Sequence, residues 1–143
     1  MRKLILASHG SLAEGMKSAA AMILGGSAVM DAFGLDTWGT PQAILEEVKK
    51  IMAQSPEDEY VLLCDIKGGS VCNALMELSM EPNVSVISGM NLNVILALAL
   101  TDENVALADE VEGILEECRQ GIQFFNASIM KKIKEKESSD EIW

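Results

Sequence analysis

The sequence predicts an α/β protein with a doubly wound, mainly parallel sheet of strand order 2-1-3-4. Short, almost continuous apolar runs alternate with longer segments of helical period, which is typical of parallel strands covered by helices on both faces. The apolar runs span residues 3–8, 28–33, 60–65 and 84–88. With four strands and four crossover helices, 2-1-3-4 is the commonest doubly wound order. The 143 residues, 49% of them hydrophobic, suffice for one core and are too few for two ordinary domains.

Each predicted strand is followed by a segment that can begin a helix. Ser11 with Glu14 three residues later has the spacing of a capping box, and Thr40 precedes a proline at the first helical position. Ser70 follows two glycines and is predicted to cap the third helix, while Asn91 is predicted to open the fourth.

The pattern changes after residue 100, where an acidic amphipathic helix is predicted over residues 103–120. Gly121 is its expected C-terminal cap. Residues 122–125 (Ile-Gln-Phe-Phe) are interpreted as a short strand or an apolar anchor. Residues 131–143 are charged and poor in core formers, which predicts a helical extension that frays into a mobile tail. The expected organisation is therefore one domain over residues 1–130 and a charged C-terminal extension over 131–143.

Composition excludes several classes of function. The formal net charge is −11 and the pI is about 4.4, so nucleic-acid binding and membrane-surface binding are disfavoured. The longest apolar stretch, residues 94–100, is far shorter than the ~20 residues of a membrane-spanning helix. The apolar run near the N-terminus is also shorter than the roughly 7 to 15 residues of a secretory signal. We expect a soluble, cytoplasmic protein without direct membrane insertion.

Neither a disulfide framework nor a metal site is indicated. The three cysteines, Cys64, Cys72 and Cys118, are widely spaced and form no Cys-x-x-Cys pair, so they are expected to be ordinary reduced thiols. One histidine cannot build a His-rich metal site, and no carboxylate cluster at ligand spacing replaces it. No cofactor is predicted.

Two chemically important residues are expected to meet at the edge of the sheet. Ligands of open α/β sheets gather beyond the carboxyl ends of the strands, where the strand order reverses. In the order 2-1-3-4, that point lies between the first and third strands. His9 follows the first of these strands and Asp65 ends the other, although 56 positions separate them in the sequence. A histidine and a carboxylate are therefore predicted to share one crevice.

The surroundings of this crevice favour an anion. Residues 68–70 (Gly-Gly-Ser) provide flexible backbone before a helix, and the N-terminus of a helix carries free N–H groups and partial positive charge. A neutral imidazole is a competent nucleophile, and a carboxylate that holds one ring N–H determines which nitrogen attacks. Phosphoryl chemistry is thus implied. Each part alone has an ordinary alternative: His9 as a turn residue, Asp65 as a loop cap, and Gly-Gly-Ser as simple turn chemistry.

Three loops resemble a known family. They are residues 6–10 (Leu-Ala-Ser-His-Gly), 64–73 (Cys-Asp-Ile-Lys-Gly-Gly-Ser-Val-Cys-Asn) and 86–91 (Val-Ile-Ser-Gly-Met-Asn). In this order and at this spacing they are similar to the enzyme IIA domain of the mannose/fructose/sorbose phosphotransferase family, and the similarity covers about residues 1–130.

The resemblance implies a role for each matched residue. His9 corresponds to the phosphoryl-accepting histidine, and Asp65 to the carboxylate that orients its ring. Ser70 resembles the hydroxyl that holds phosphoryl oxygens, with the backbone N–H groups of Gly68 and Gly69 as helpers. Asn73 and Asn91 match motif positions whose role is expected to be structural, in tying the loops together, and Ser8 is a further auxiliary candidate.

The resemblance also implies a homodimer in which a C-terminal strand is exchanged, with residues 122–125 at the corresponding place. The alternative is that Phe124 and Phe125 belong to the intrachain core.

The chain departs from the usual family pattern at Lys67, Val71 and Asn93. None of these changes removes a group that would handle phosphate. Lys67 is either an ordinary exposed turn residue or a cation that attracts the donor or stabilises the phosphorylated ring.

The function implied is a phosphoryl carrier of a sugar phosphotransferase system. His9 would accept phosphate from the histidine-containing phosphocarrier protein and pass it to enzyme IIB. Two alternatives remain open: the phosphotransferase subunit of a dihydroxyacetone kinase, and a regulatory module whose phosphohistidine signals sugar supply. A flavin or nucleotide binder is disfavoured because the crevice loops offer no Trp or Tyr for stacking. The identity of the sugar is not encoded in these residues.

Overall fold

The computed structural model describes residues 1–26 and 29–141, and it has the predicted α/β architecture. The strands are β1 (Arg2–Ser8), β2 (Met30–Gly34), β3 (Glu59–Cys64) and β4 (Val84–Ile87). They form a sheet of order β2-β1-β3-β4, and each neighbouring pair is parallel. The predicted fold class and the order 2-1-3-4 are confirmed.

Helices cover both faces of the sheet. They are α1 (Leu12–Leu24), α2 (Leu35–Trp38), α3 (Pro41–Gln54), α4 (Ser70–Met76), α5 (Leu92–Ala99), α6 (Leu107–Gln120) and α7 (Ala127–Glu141), with a 3₁₀ turn at Glu77–Met80. Helices α1, α5 and α6 pack on one face, and α3 and α4 pack on the other. The helix α2 was not predicted from the sequence.

The two faces of the central strands supply two hydrophobic cores. Successive side chains of a strand point to opposite faces, so alternate residues of β1 enter different cores. Leu4 and Leu6 join the core under α1, α5 and α6, whereas Ile5 joins the core under α3 and α4. Burial of one such side chain contributes about 1.5 to 3 kcal/mol. Because β1 and β3 are buried on both faces, the loops at their ends start from a rigid base.

The strand boundaries differ slightly from the predicted ones. Strand β2 ends at Gly34, one residue later than predicted, and the predicted start at Ala28 lies outside the described residues. Strand β1 begins at Arg2, and β3 at Glu59, each one residue before the predicted start. The apolar run that predicts β3 includes Asp65, whereas the strand itself ends at Cys64, which leaves Asp65 just past the strand end. The Asp65 carboxylate accepts the backbone N–H of Ile66 at 3.0 Å there. Ser88 likewise lies just beyond β4.

Two of the four predicted N-terminal helix caps are confirmed. The Thr40 hydroxyl accepts the backbone N–H of Ala43 at 3.1 Å, with Pro41 at the start of α3. The Asn91 side-chain oxygen accepts the backbone N–H of Val94 at 3.0 Å at the start of α5. Both contacts span three residues, so the local sequence is enough to predict them.

The other two predicted caps are wrong. Ser11 precedes α1, but its side chain makes no capping hydrogen bond. The buried Ser8 hydroxyl instead accepts the N–H of Ala13 at 2.7 Å, and Glu14 turns to β2 rather than back to Ser11. Ser70 is the first residue of α4 and not its cap, which is Gly69.

The C-terminal region shows two further differences. Helix α6 begins at Leu107 rather than at residue 103, because the preceding turn binds Arg2 through the carbonyls of Asp102 and Val105. It ends at Gln120, and Gly121 is its C-cap as predicted.

The segment 122–125 is neither a strand nor core within the described chain. Its apolar side chains Ile122, Phe124 and Phe125 are 76%, 72% and 55% exposed, so the intrachain-core interpretation is wrong. The helical extension predicted from residue 131 is part of α7, which begins earlier, at Ala127. The predicted frayed tail includes residues 142–143, which lie outside the described residues.

Candidate active site

The crevice predicted between the first and third strands is present, and His9 and Asp65 are in contact there. His9 Nδ1 lies 2.8 Å from Asp65 Oδ2, and the same oxygen accepts the backbone N–H of His9 at 2.8 Å. The His9 side chain is 48% exposed, whereas that of Asp65 is 10% exposed. The carboxylate is thus enclosed by the loop, while the imidazole extends into solvent.

Asp65 is held in its charged form. Burial raises the pKa of its carboxyl, but the backbone N–H and ring of His9, helped by the Ile66 N–H, outweigh burial and lower the pKa below its ordinary value. A charged carboxylate only accepts hydrogen bonds, so the Nδ1 of a neutral His9 must donate. The proton of the neutral ring is therefore on Nδ1, and Nε2 keeps a free lone pair.

The Gly-Gly-Ser turn lies against the exposed nitrogen. Ser70 Oγ is 3.4 Å from His9 Nε2. A side chain at Gly69 would place its Cβ 2.8 Å from Ile66 Cγ2 and 3.1 Å from His9 Cε1, so only glycine lets this turn approach the ring. Gly68 has a φ of +82°, a conformation that glycine adopts without strain. The turn therefore brings a hydroxyl to Nε2 without covering it.

Three other predicted residues support the loops. The buried Ser8 hydroxyl donates to the His9 carbonyl at 2.8 Å as well as accepting from the start of α1. The Asn73 amide donates to the Gly68 carbonyl at 3.3 Å. Asn91 caps α5, and the preceding residue, Met90, donates its N–H to the Cys64 carbonyl at 2.9 Å. The Met90–Cys64 contact joins the third motif loop to the second, and the other contacts brace each loop internally or attach it to the helix that follows.

Lys67 lies on the same loop, but no described hydrogen bond or ion pair joins it to His9. The residue is exposed and lines a cavity of about 310 Å³ with Cys72, Asn73, Met76 and Val86. Its ammonium forms no ion pair with a described carboxylate. Its contribution to phosphoryl chemistry thus remains a prediction.

The cysteines are unsuited to be nucleophiles. All three are buried thiols. Burial raises the pKa of Cys64, which immediately precedes Asp65, and the adjacent Cys72 raises it further. Since the thiolate is the reactive form, Cys64 is inert near neutral pH. Among the described residues no group of three or more His, Cys, Asp or Glu side chains is arranged to hold a metal ion.

Sequence reasoning missed the parts of the site that hold the His9 loop from its other side. Glu14 Oε1 accepts the Gly34 N–H at 2.9 Å, and the Gly10 carbonyl accepts the Asp36 N–H at 3.2 Å. These contacts join residues 20 and 26 positions apart, so no local motif signals them. Gly10, with a φ of +54°, was the available sign that this loop turns sharply.

Comparisons with known proteins agree with this architecture. The family described as "PTS system fructose IIA component" matches residues 3–115. The chain is 30% identical, over 105 residues, to the sorbose-specific EIIA component of the phosphotransferase system of Klebsiella pneumoniae, covering 73% of this chain and 76% of that protein.

Two solved structures have the same fold. A mannose/sorbose-specific IIA subunit from Enterococcus faecalis superimposes with a TM-score of 0.72 at 25% identity, covering 87% of this chain and 95% of that one. The phosphotransferase system component EIIA from Streptococcus agalactiae gives a TM-score of 0.76 at 22% identity, with coverage of 87% and 98%. At that identity the second likeness concerns the fold alone.

The fold and the family match together define a component of the sugar phosphotransferase system, a class of phosphotransferases. Within that class, the chain belongs to the mannose/fructose/sorbose family of enzyme IIA components. No helix within residues 1–26 and 29–141 has both the length and the apolar character needed to span a membrane.

Proposed function

We propose that this protein carries a phosphoryl group on Nε2 of His9, accepts it from the histidine-containing phosphocarrier protein and passes it to enzyme IIB for sugar uptake. The observation that carries the proposal is the asymmetry of the imidazole. Nδ1 is tethered to a charged Asp65 at 2.8 Å, whereas the half-exposed ring presents Nε2 outward. Only one of the two nitrogens is then free to attack phosphorus.

The transfer step needs no group beyond those present on the two proteins. The Nε2 lone pair forms a new P–N bond in line with the P–N bond of the donor phosphohistidine, which breaks and returns its electron pair to the donor imidazole. Positive charge that develops on the His9 ring is stabilised by the Asp65 carboxylate. The Ser70 hydroxyl, 3.4 Å from Nε2, and the backbone N–H of Gly68 would hold phosphoryl oxygens. The Gly69 N–H donates to the Ile66 carbonyl at 3.2 Å, so it would have to exchange that acceptor for a phosphoryl oxygen in order to help. Release to enzyme IIB reverses these roles.

A labelling experiment tests this function directly. Incubation with labelled phosphoenolpyruvate, enzyme I and the phosphocarrier protein should place one acid-labile phosphate on the chain. His9 is the only histidine, so the His9→Gln variant should take up none while keeping the wild-type circular dichroism. A wild-type chain that stays unlabelled with active partners would overturn the proposal, as would a labelled His9→Gln variant.

A chase distinguishes a carrier from a signalling module. A carrier should lose its label within seconds when a cognate enzyme IIB is added, whereas a module that only signals sugar supply should retain it. The dihydroxyacetone kinase alternative is tested in the same way, by supplying the remaining kinase subunits as acceptor. The family match favours enzyme IIB as the partner.

We further propose a homodimer that covers the segment 122–125. Burial of large apolar side chains stabilises association, and Ile122, Phe124 and Phe125 are well exposed in the single chain. Residues 1–130 would then form the enzyme IIA domain and residues 131–143 its extension. Light scattering should give twice the chain mass of 15.4 kDa, and Phe124→Ser with Phe125→Ser should lower it. A monomeric wild type would refute this part alone. We expect the reaction to take place in the cytoplasm, where the proposed partners would act.

A further inference from the structure

Glu14, on the first turn of α1, links the helix that follows the His9 loop to the end of β2. Its Oε1 accepts the Gly34 backbone N–H at 2.9 Å. Its Oε2 is enclosed, and no described residue donates a hydrogen bond to it. An enclosed carboxylate oxygen without a donor costs free energy, so the surroundings of this side chain determine what it contributes.

The space above the Gly34 α-carbon is filled by the Gly10 carbonyl of the His9 loop and by the Glu14 carboxylate. A Cβ on Gly34 would lie 2.3 Å from the Gly10 carbonyl oxygen and 2.5 Å from Glu14 Oε2. The two oxygens therefore face the same small volume above the Gly34 α-carbon. Gly34 has a φ of −108°, so it is the lack of room rather than backbone strain that requires glycine there.

These contacts complete the attachment of the loop. On the β3 side, Asp65 holds the backbone N–H and the ring of His9. On the β2 side, the Gly10 carbonyl accepts the Asp36 N–H at 3.2 Å and packs on Gly34, which Glu14 fixes. The two peptides that flank the His9–Gly10 pair are thus both held, the one before His9 by Asp65 and the one after Gly10 by the end of β2.

We propose that Glu14 is a positioning residue for His9, acting through Gly34 and the Gly10 carbonyl to keep Nδ1 aligned with Asp65. The inference rests on the proposed function of His9. Its role is that of an acceptor for the Gly34 N–H and a filler of the shared volume, and it does not need negative charge. Glutamine has the same shape, keeps one acceptor oxygen and offers an N–H toward the Gly10 carbonyl oxygen.

The variants Glu14→Ala and Glu14→Gln separate these roles. Alanine removes the acceptor and opens a space beside the Gly10 carbonyl, so the ring should lose its fixed orientation. We expect phosphoryl transfer to His9 to slow about tenfold in kcat with KM for the phosphocarrier protein nearly unchanged, because docking residues are not altered. Glutamine should stay within about twofold of wild type.

Nitrogen-15 NMR of the histidine ring supplies a readout that a general loss of stability would not move. With one histidine in the chain, both ring signals belong to His9, and their couplings to the carbon-bound ring protons distinguish Nδ1 from Nε2. At a pH where the ring is neutral, the wild type and Glu14→Gln should have the proton on Nδ1, whereas folded Glu14→Ala should show a mixture of both tautomers. This measurement requires no phosphoryl donor, so it tests Glu14 even if the labelling experiment fails.

Glu110, on α6, is the matched control. It is also a partly buried glutamate with one enclosed, unpartnered oxygen, and it makes no described contact with the His9 loop. Glu110→Ala should leave both the tautomer and the rate unchanged. The inference is overturned if folded Glu14→Ala keeps the pure Nδ1–H tautomer and the wild-type rate, or if Glu14→Gln and Glu14→Ala are equally impaired.

Gly34→Ala decides the matter if Glu14→Ala does not fold. Its new Cβ must displace the Gly10 carbonyl, so the tautomer should again become mixed and transfer should again slow about tenfold. A folded Gly34→Ala variant with the wild-type tautomer would contradict the proposal.

Discussion

The two ends of β1 differ in how completely they enclose charge. At the amino end, the Arg2 side chain is 4% exposed and donates to Glu59, to Thr101 Oγ1 at 2.9 Å and to the carbonyls of the turn before α6. At the carboxyl end, His9 has one ring nitrogen bound to Asp65 and leaves the other beside solvent. At the amino end the Arg2 guanidinium is bound entirely by groups of the fold, whereas at the carboxyl end His9 Nε2 remains accessible from solvent.

The two ends of β1 also differ in the partners of their aspartates, Asp58 and Asp65. The N-terminal ammonium and Lys3 both bind Asp58, at 3.0 and 2.9 Å. The two cations saturate that carboxylate. Asp65, in contrast, accepts two backbone N–H groups and the His9 ring, and none of these is a fixed cation. Its charge is therefore available to the imidazolium that the proposed transfer would form. An aspartate thus stabilises the fold at one edge of the sheet and orients the proposed nucleophile at the other.

Removal of Arg2 should have the largest effect on stability. Arg2→Met keeps the length of the stem but leaves Thr101, the Asp102 carbonyl and the Val105 carbonyl without their donor. We expect the free energy of unfolding to fall by about 3 kcal/mol, measured by urea denaturation. Arg119→Met is the control, because the Arg119–Glu116 pair is about 60% exposed and should contribute less than about 1 kcal/mol. Equal losses in both variants would break the comparison.

At the carboxyl end of β1, Asp65→Asn should have the largest effect on the rate of phosphoryl transfer. It removes the charge that orients and stabilises the His9 ring, and the lost charge-assisted bond of about 1.5 to 3 kcal/mol corresponds to a rate about ten- to a hundredfold lower. Quenched-flow labelling of His9 measures this rate. Asp36→Asn, a nearby exposed carboxylate with no described side-chain hydrogen bond, should transfer at the wild-type rate. The comparison fails if Asp65→Asn loses stability rather than rate.

The pH dependence of stability should also reflect the ion pairs of Asp58 at the amino end of β1. Hydrogen bonds from Lys3 and from the N-terminal ammonium lower the pKa of Asp58 below its ordinary value of 3.8. A lowered pKa contributes stability that is present above pH 3.8 and is lost as the pH falls through the folded-state pKa. The urea midpoint should therefore fall less steeply between pH 5 and pH 2 in Asp58→Asn than in wild type. The control variant Glu116→Gln, at an exposed carboxylate, should follow the wild-type curve. An unchanged slope in Asp58→Asn would show that Asp58 does not contribute to the pH dependence of stability.

Ser70→Ala should have the smallest effect. The hydroxyl is exposed and its 3.4 Å contact with Nε2 is long, so its loss should slow transfer about two- to fivefold without changing stability. Ser11→Ala is the control, since Ser11 is exposed near His9 and makes no capping hydrogen bond. A fall in rate as large as that of Asp65→Asn would show that transfer depends on the Ser70 hydroxyl as much as on the Asp65 carboxylate.

The strand order and the meeting of His9 with Asp65 could both be predicted from the amino-acid pattern. Hydrophobic period and chain connectivity define parallel strands, and the carboxyl ends of neighbouring parallel strands share one edge of the sheet. A pairing across 56 positions thus followed from topology alone. The caps at Thr40 and Asn91 followed for a simpler reason, because donor and acceptor are three residues apart.

In contrast, the groups that hold the His9 loop and those that bind Arg2 could be identified only from the packed molecule. Ser8, rather than Ser11, caps α1, Glu14 bonds to Gly34, and Arg2 binds the turn before α6. The exposure of Ile122, Phe124 and Phe125 likewise could be read only from the folded chain. Hydrogen-bond partners that are distant in sequence become neighbours only after the sheet and helices have packed, so no local pattern distinguishes them from the nearer residues that could take the same roles.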